Sequence, residues 1–361
     1  MKVAIYTLPF EANYGGVLQA YALQSVLSAK GFTPIVLNRR RDAGLIRNFL
    51  KFIKWTLIKG IALCGFRKGN VLAELERFKC RYLNQSRLMF SSSSLSRYCR
   101  DAKIVSVIVG SDQVWRVKAA QDIKDAFLAF APEHVRKVSY AASFGVEEWE
   151  YPIRETEICA KLAKQFDAVS VREDSGIDLC REKLDVAAKL VLDPTLLFGR
   201  EGFTKIYEPK IMKLKDKCSG GACAFLLDKS KDKECIVDYI ATKIGCGKYS
   251  IGAGSVLTTV EEWLYGIANA NFVITDSFHG TCFSLLFKKP FIAIYNKNRG
   301  NARFKSLLGL FSLEDRIVEA GEGTEILDKI ISSQIDYAAV NERMEALRSE
   351  SMEFLVKGLR A

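Results

Sequence analysis

The chain has 361 residues, with 53 Lys and Arg against 42 Asp and Glu, two His and ten Cys, and 49% of it is hydrophobic, which excludes a disordered protein. At roughly 100 to 200 residues per domain, this length gives two domains or one large one, either able to bury a sizeable core, and excludes a single small module. The cysteines are scattered without a C-x-x-C pair and follow no secretory leader, so they read as buried thiols of a reducing cytoplasm. Cys218 and Cys223 form the closest pair, but with only His134 and His279 to complete a ligand set no zinc spacing can be assembled, and no metal is expected.

Lys2 to Thr7 is a short apolar run, too short for a signal-peptide core. It ends at a polar turn, Asn13-Tyr14-Gly15-Gly16. From Val17 to Leu27 the apolar residues carry helical spacing up to Gly31, and Pro34 to Leu37 reads as a second strand, giving strand, loop, helix, strand. No stretch reaches the roughly 18 apolar residues of a spanning helix.

Between Arg39 and Asn70 nine basic residues face the lone Asp42, so this window holds +8 of the net +11 and the remainder is nearly neutral. On a helix from Leu45 to Leu57, Leu45, Ile46, Phe49, Leu50, Phe52, Ile53 and Leu57 share one face opposite Arg47, Lys51 and Lys54. This pattern suits a segment lying on an anionic membrane surface, where each Lys or Arg contributes about 1 kcal/mol, and peripheral membrane contact is expected through about 45–64. A helix packed on its own domain with a solvated basic face fits equally well. Nucleic acid is the weakest reading and is not expected as a partner, because no stacking platform, zinc finger or helix-turn-helix pattern accompanies the charge.

Further strands are expected at Ile104–Val109, Lys137–Ala141, Ala168–Val171 and Lys189–Leu192, with helices such as Thr156–Gln165 and Glu173–Arg181 between them, an alternation that argues for a parallel α/β sheet. The Pro-, Lys- and Gly-rich stretch Tyr207–Gly221 reads as a linker or loop, after which a second α/β unit begins at Ala222–Leu227 and continues with strands at Lys248–Ile251, Phe272–Thr275 and Phe291–Tyr295. A long terminal helix follows over Ile335–Leu359. The expected domains are therefore 1–200, carrying a basic insertion at about 39–70, then 201–335, then a C-terminal helix at 336–361. Two Rossmann-like halves of this kind would face a central cleft at the carboxyl ends of their strands, where α/β folds bind ligands.

Four strand ends carry polar residues or glycine where apolar residues would have extended the core. Gly15 and Gly16 permit a tight turn with amides directed at an anion, or serve only strand-to-helix packing. After Ile104–Val109 come Gly110-Ser111-Asp112-Gln113-Val114-Trp115. Ser111 and Asp112 emerge at the sheet edge, where Asp112 can take a proton from a sugar hydroxyl or simply cap a helix. In Ser170-Val171-Arg172-Glu173, Arg172 suits a carboxylate or phosphate, while a surface pair with Glu173 or Asp174 explains it as well. Thr275-Asp276-Ser277-Phe278-His279-Gly280-Thr281 places His279 at a strand-to-helix turn where phosphates bind, although a lone His is more often structural. His134, after Pro132-Glu133, reads as a loop residue.

Taken together, Asn13 to Gln24, Gly110 to Trp115, Ser139-Tyr140-Ala141-Ala142-Ser143-Phe144-Gly145, Ser170 to Asp174, Asp193-Pro194-Thr195 and Asp276 to Gly280 resemble the polysaccharide pyruvyl transferase family in order and spacing. The matches run from Lys2 to about Arg316, include Asn301-Ala302-Arg303-Phe304 before Leu307-Leu308-Gly309-Leu310, and omit the basic stretch. The resemblance implies a GT-B-like fold of two Rossmann-type domains, phosphoenolpyruvate as donor substrate with no cofactor, and a sugar diol of a surface polysaccharide as acceptor. The product would be a pyruvate ketal and phosphate. A cytoplasmic enzyme, possessing a lipid-linked acceptor at the inner face of the cell membrane, is the expected setting.

The resemblance transfers donor roles to His279 and Arg172. Some members carry an Arg two residues before that His, where this chain has Ser277, and Arg303, or Lys297 or Arg299 nearby, is the expected replacement cation. The donor site is accordingly expected to comprise Arg172, Ser277, Gly280, Thr281 and Arg303, with the amides of Gly280 and Thr281 on the phosphate. His279 is the expected acid and Asp112 the base, while Asn13, Gly15, Gly16 and Ser111 are expected to contact the acceptor. Two rivals remain: a glycosyltransferase of the same architecture using a nucleotide sugar, and a non-catalytic membrane-surface or polyanion-binding protein whose basic helix is its function.

Overall fold

The computed structural model describes residues 1–10, 13–42, 44, 47, 53, 56–57, 60, 71–215, 220–228, 230–252, 254–255, 259–295 and 301–360. The basic amphipathic helix expected near 45–57 and the candidate cations Lys297 and Arg299 fall outside the described residues, isolated positions apart. The chain divides into two compact units, one of Met1–Arg67, Glu76–Phe198 and Leu347–Ala361, the other of Lys68–Leu75 and Gly199–Ala346. Among the described residues no helix is long and apolar enough to cross a membrane.

The first part of the chain runs β1 (Lys2–Tyr6), α1 (Tyr14–Ala29), β2 (Thr33–Arg39), α2 (Val71–Tyr82), β3 (Gln85–Met89), α3 (Ser92–Asp101), β4 (Ser106–Val109), α4 (Ile123–Ala126), β5 (Arg136–Ser139), α5 (Ile153–Ala163), β6 (Ser170–Val171), α6 (Asp174–Leu184), β7 (Lys189–Leu190) and α7 (Pro194–Phe198). Its parallel sheet has the order β3-β2-β1-β4-β5, and β6 pairs with β7 beyond β5, to which single bridges at Val138–Ala168 and Ala142–Val171 connect them. All four β4 residues are buried, as expected of a central strand covered on both faces. The winding reverses between β1 and β4, so the loops after these two strands flank the switch-point crevice where open α/β sheets bind ligands.

The second unit contains α8 (Arg200–Tyr207), a 3-10 turn (Glu208–Lys210), α9 (Ile211–Lys215), β8 (Ala222–Phe225), α10 (Lys231–Lys243), β9 (Lys248–Ser250), α11 (Val260–Ala268), β10 (Phe272–Thr275), α12 (Phe278–Leu286), β11 (Phe291–Tyr295), α13 (Ala302–Gly309), β12 (Ile317–Glu319) and α14 (Thr324–Ser332). The helix α15 (Tyr337–Arg360) then carries the chain back to the first unit. The parallel order β12-β11-β10-β8-β9 reverses between β8 and β10. Trp263 sits between the rings of Phe225 and Phe283, edge-on to both at centroid distances of 5.1 and 5.0 Å, and ties α11 and α12 to the sheet.

The structure corrects the linker expected at Tyr207–Gly221, because 208–215 is helical. Pro209 lies in the first turn of the 3-10 segment, where the absent N–H has no helical acceptor to lose. The flanking side chains are anchored, with Tyr207 edge-on to Tyr265 at 5.8 Å and Leu214 buried. Two strands at sheet edges, β3 and β12, were not expected from the sequence.

Candidate active site

In the first unit, Asn13 caps α1: its Oδ1 accepts from the Gly16 amide at 2.9 Å. Gly15 and Gly16 are therefore the first turn of a helix, not a separate tight turn, and the Gly16 amide is taken by the cap. The other Asn13 atom, Nδ2, donates to Asp112 Oδ2 at 3.4 Å.

Asp112 leaves β4 through Gly110, whose φ is +123° and where a Cβ would stand 2.1 Å from the Tyr140 carbonyl oxygen, so only glycine fits. Asp112 itself has a φ of +78°. That left-handed geometry costs about 1 to 2 kcal/mol for a non-glycine residue. It is held by its carbonyl oxygen, which accepts from Val114 at 2.7 Å and Ser143 at 3.0 Å. Residues fixed in such conformations cluster at functional sites. No helix starts here: the segment after Asp112 runs through turns, and Asp112 Oδ1 accepts from the Gln113 amide at 2.9 Å, so the capping explanation falls away.

Arg172 is not a surface residue. Its side chain is 1% exposed; NH1 donates to Asp193 Oδ2 at 2.9 Å and NH2 to Asp112 Oδ1 at 3.0 Å, while Nε lies 4.0 Å from Glu173 Oε2. Burial opposes its charge, yet Asp112, Asp193 and Glu173 together outweigh that and hold the guanidinium above its ordinary pKa. Ser111 joins through its hydroxyl, which donates to Asp193 Oδ2 at 3.0 Å. Asp193 is in turn fixed by the amide and hydroxyl of Thr195, at 3.0 and 2.8 Å.

Two buried residues the sequence reading did not single out complete this network. Gln19 donates to Thr7 Oγ1 and to the Gly16 carbonyl, each at 3.0 Å, and accepts from the Ser111 amide at 3.2 Å; Thr7 donates to the Ser111 carbonyl at 3.0 Å. The signal for Gln19 was a polar residue within the apolar run Val17-Leu18-Gln19-Ala20 of α1, where a fully buried amide needs partners. Asn13, Ser111, Asp112 and Arg172 are thus brought into one hydrogen-bonded cluster.

In the second unit, Ser277 caps α12 and accepts from the Gly280 amide at 3.4 Å, and the Thr281 amide donates to the Ser277 carbonyl at 3.0 Å. Both amides expected to cradle a phosphate are thus engaged within the turn, and an anion there competes with the cap for Gly280. Gly280 is required sterically: a Cβ would stand 2.2 Å from Thr275 Oγ1, which itself donates to the Phe225 carbonyl at 2.8 Å.

Asp276 spans the β8–β10 crevice. Its carboxylate accepts from the amides of Leu227 at 2.6 Å and Asp228 at 3.1 Å and from Lys233 Nζ at 2.6 Å. The Lys233 and Asp276 side chains are 5% and 1% exposed, a one-to-one buried ion pair. His279, three residues after Asp276 and buried, lies edge-on to Phe278 at 5.4 Å, and the Arg303 guanidinium, from the first turn of α13, stands 5.9 Å from the Phe278 ring centroid. Phe278 therefore brings Arg303 to the His279 turn. His134 is exposed, and among the described residues no group of three or more His, Cys, Asp or Glu could hold a metal ion.

The two clusters differ in charge. Around Arg172 three carboxylates meet one guanidinium within 4.0 Å. At the His279 turn the Asp276 carboxylate is paired with Lys233 and a guanidinium stands nearby, an environment suited to an anion.

A UDP-GlcNAc 2-epimerase from Neisseria meningitidis bound to UDP-GlcNAc superposes with a TM-score of 0.55 at 11% identity, over 99% of this chain and 100% of that one. A Methanocaldococcus jannaschii UDP-GlcNAc 2-epimerase in complex with UDP-GlcNAc and UDP gives 0.53 at 11% identity, over 97% and 100%. A Glycyrrhiza uralensis protein complexed with glycyrrhetinic acid 3-O-monoglucuronide gives 0.53 at 7%, over 99% and 95%. At these identities the likeness establishes the fold alone, an α/β fold of the GT-B class with parallel sheets. No curated protein matches the sequence. The sequence model of the polysaccharide pyruvyl transferase family matches residues 13–298, most of the chain, and this protein belongs to that family.

Proposed function

We propose that the protein transfers pyruvate from phosphoenolpyruvate to two hydroxyls of a sugar in a surface-polysaccharide precursor, forming a cyclic ketal and releasing phosphate. The observation that carries this reading is the His279 turn: a buried histidine at a helix start, with its neighbouring carboxylate neutralised and Arg303 drawn in by Phe278. Membership of the family supports the same chemistry.

In this reading the trianionic donor lies at the His279 turn, with Arg303 on its carboxylate or phosphate and the Ser277, Gly280 and Thr281 segment beside it. His279 delivers a proton to the methylene carbon. The adjacent carbon becomes cationic, a sugar hydroxyl adds to it, phosphate departs with the C–O bond electrons, and the second hydroxyl closes the ring. Of the two hydroxyl protons released, one restores the acid and the other leaves with phosphate or to water. Asp112 accepts the proton of the attacking hydroxyl, and Asn13 and Ser111, with the Gly15–Gly16 turn, orient the acceptor. The acceptor is a lipid-linked sugar, met at the inner membrane surface through the basic stretch of about 45–64.

The test is phosphate release from phosphoenolpyruvate by the full chain with a panel of lipid-linked or model galactosides and related diols. Acceptor-dependent release is expected. Its rate should fall about 10²- to 10⁴-fold in His279→Ala, the range for loss of a general acid. Arg303→Met should raise KM for phosphoenolpyruvate about 10- to 100-fold, since a charge-assisted hydrogen bond contributes about 1.5 to 3 kcal/mol. No release with any acceptor, together with binding of a nucleotide sugar, would replace this reading with a glycosyltransferase.

A further inference from the structure

We infer that Gln19 is a positioning residue of the acceptor side, which aligns Asn13 with the Ser111–Asp112 turn and does not itself touch substrate. The inference rests on the pyruvyl-transfer reading above. Gln19 lies in the second turn of α1 and is 0% exposed, and Thr7, which follows β1, is 4% exposed.

Both N–H donors and the carbonyl of the Gln19 side chain are engaged. Nε2 donates to the Gly16 carbonyl and to Thr7 Oγ1, each at 3.0 Å, and Oε1 accepts from the Ser111 amide at 3.2 Å. The backbone partners fix which end of the amide is which, since a peptide N–H only donates and a peptide carbonyl only accepts. Thr7 Oγ1 receives Nε2 and in turn donates to the Ser111 carbonyl at 3.0 Å. Gln19 and Thr7 together therefore hold both backbone groups of Ser111, the residue before Asp112. The position calls for an amide, because two donors and one acceptor are matched at once; a carboxylate has no donor when ionised and a hydroxyl has one.

These bonds close a ring between the turns after β1 and β4, which flank the point where the first sheet reverses its winding. Gly16 accepts from Gln19 through its carbonyl and donates through its amide to Asn13 Oδ1 at 2.9 Å. Asn13 Nδ2 donates to Asp112 Oδ2 at 3.4 Å, and Asp112 leads back through Ser111 to Gln19. A Cβ on Gly16 would stand 2.9 Å from Asn13 Nδ2, so the ring has little slack on that side. Asn13, Gly16, Ser111 and Asp112, all placed on the acceptor side, share this ring. Gln19 is the buried member that joins the two turns, and a buried hydrogen-bonded network of this kind rigidifies what it connects. Without its amide the Ser111 turn is released from α1, and the loss falls on the alignment of Asp112 with Asn13.

The experiment compares Gln19→Met, similar in size but without the amide, with Thr7→Val and Thr7→Ser in the full chain. Each is checked for native circular dichroism, and kcat and KM are measured separately for phosphoenolpyruvate and acceptor. Gln19→Met and Thr7→Val are expected to lower kcat or raise acceptor KM by at least about 10-fold, while KM for phosphoenolpyruvate stays within about twofold. Thr7→Ser keeps the hydroxyl and is expected to stay within about twofold of wild type throughout. A natively folded Gln19→Met with kcat and acceptor KM within about twofold of wild type, or a loss confined to phosphoenolpyruvate KM, would overturn the inference. If Gln19→Met does not fold, the contrast between Thr7→Val and Thr7→Ser decides by the same criteria. Should the wild-type protein not turn over phosphoenolpyruvate with any acceptor, the function reading fails, and the inference is judged by hydrogen exchange at the Gly16 amide, which is bonded to Asn13 and not to Gln19. Exchange there at least about 10-fold faster in Gln19→Met, or in Thr7→Val if that variant alone folds, shows that the ring opens as a unit and supports the inference; unchanged exchange overturns it.

Discussion

Replacing Lys233 with methionine removes one half of the ion pair that secures the His279 turn. The side chains of Lys233 and Asp276 are 5% and 1% exposed, so water cannot take the place of the lost ammonium without opening the fold. Asp276 would keep the amides of Leu227 and Asp228, at 2.6 and 3.1 Å, but lose the Lys233 ammonium, at 2.6 Å, and the Asp228 carbonyl would lose its Lys233 donor at 3.0 Å. Breaking a buried pair on one side costs about 3 to 5 kcal/mol. For a unit of this size that lowers Tm by roughly 6 to 20 °C, at about 2 to 4 °C per kcal/mol. Adding Asp276→Asn removes the stranded charge while leaving an amide oxygen for one of the two backbone donors, and should recover part of the loss. Calorimetry of the full chain, with denaturant unfolding of the two single variants and the double variant, measures both quantities. A cost below about 1 kcal/mol for Lys233→Met, the range of exposed pairs, would show that the ammonium is solvated and that the pair does not hold the turn.

Two further outcomes are expected. Gly280→Ala should destabilise by about 1 to 3 kcal/mol, because overpacking against Thr275 Oγ1 at 2.2 Å outweighs the gain of about 1 kcal/mol in helix propensity; an unchanged or raised Tm would mean that Thr275 moves aside freely. Burial pushes the thiol of Cys99 up to about 11 and those of Cys159 and Cys180 up to about 12, so at pH 8 they remain protonated and unreactive, whereas exposed Cys235 should alkylate. Peptide-mapped iodoacetamide labelling checks this, and modification of Cys159 as fast as Cys235 would contradict the packing of α5.

The amino-acid sequence by itself determined the alternation of strands and helices. The strands expected at Phe272–Thr275 and Phe291–Tyr295 coincide with β10 and β11 because they are continuous apolar runs bounded by turn residues, a local signal. It also marked Asn13, Ser111, Asp112, Ser277 and His279, since polar residues and glycine directly after a buried strand stand out against the apolar background. The edge strands β3 and β12 escaped because a strand paired on one side need not be apolar throughout, and β3 reads Gln-Ser-Arg-Leu-Met. The helical turns at 208–215 escaped because Pro209 and the neighbouring lysines read as a loop, and what orders them is distant in sequence: Lys210 pairs with Glu261 at 2.6 Å and Leu214 is buried.

Only the tertiary structure decided what the charged residues do. Arg172 meets Asp112 across 60 positions of sequence and Asp193 across 21, and Lys233 meets Asp276 across 43. Nothing in Lys231-Asp232-Lys233-Glu234 distinguishes the one buried lysine from a solvated helix start. Burial periodicity is written along the chain, because each element must hide its own apolar face. The partner of a buried charge is not, because the parallel crossovers that juxtapose strand ends are properties of the whole sheet.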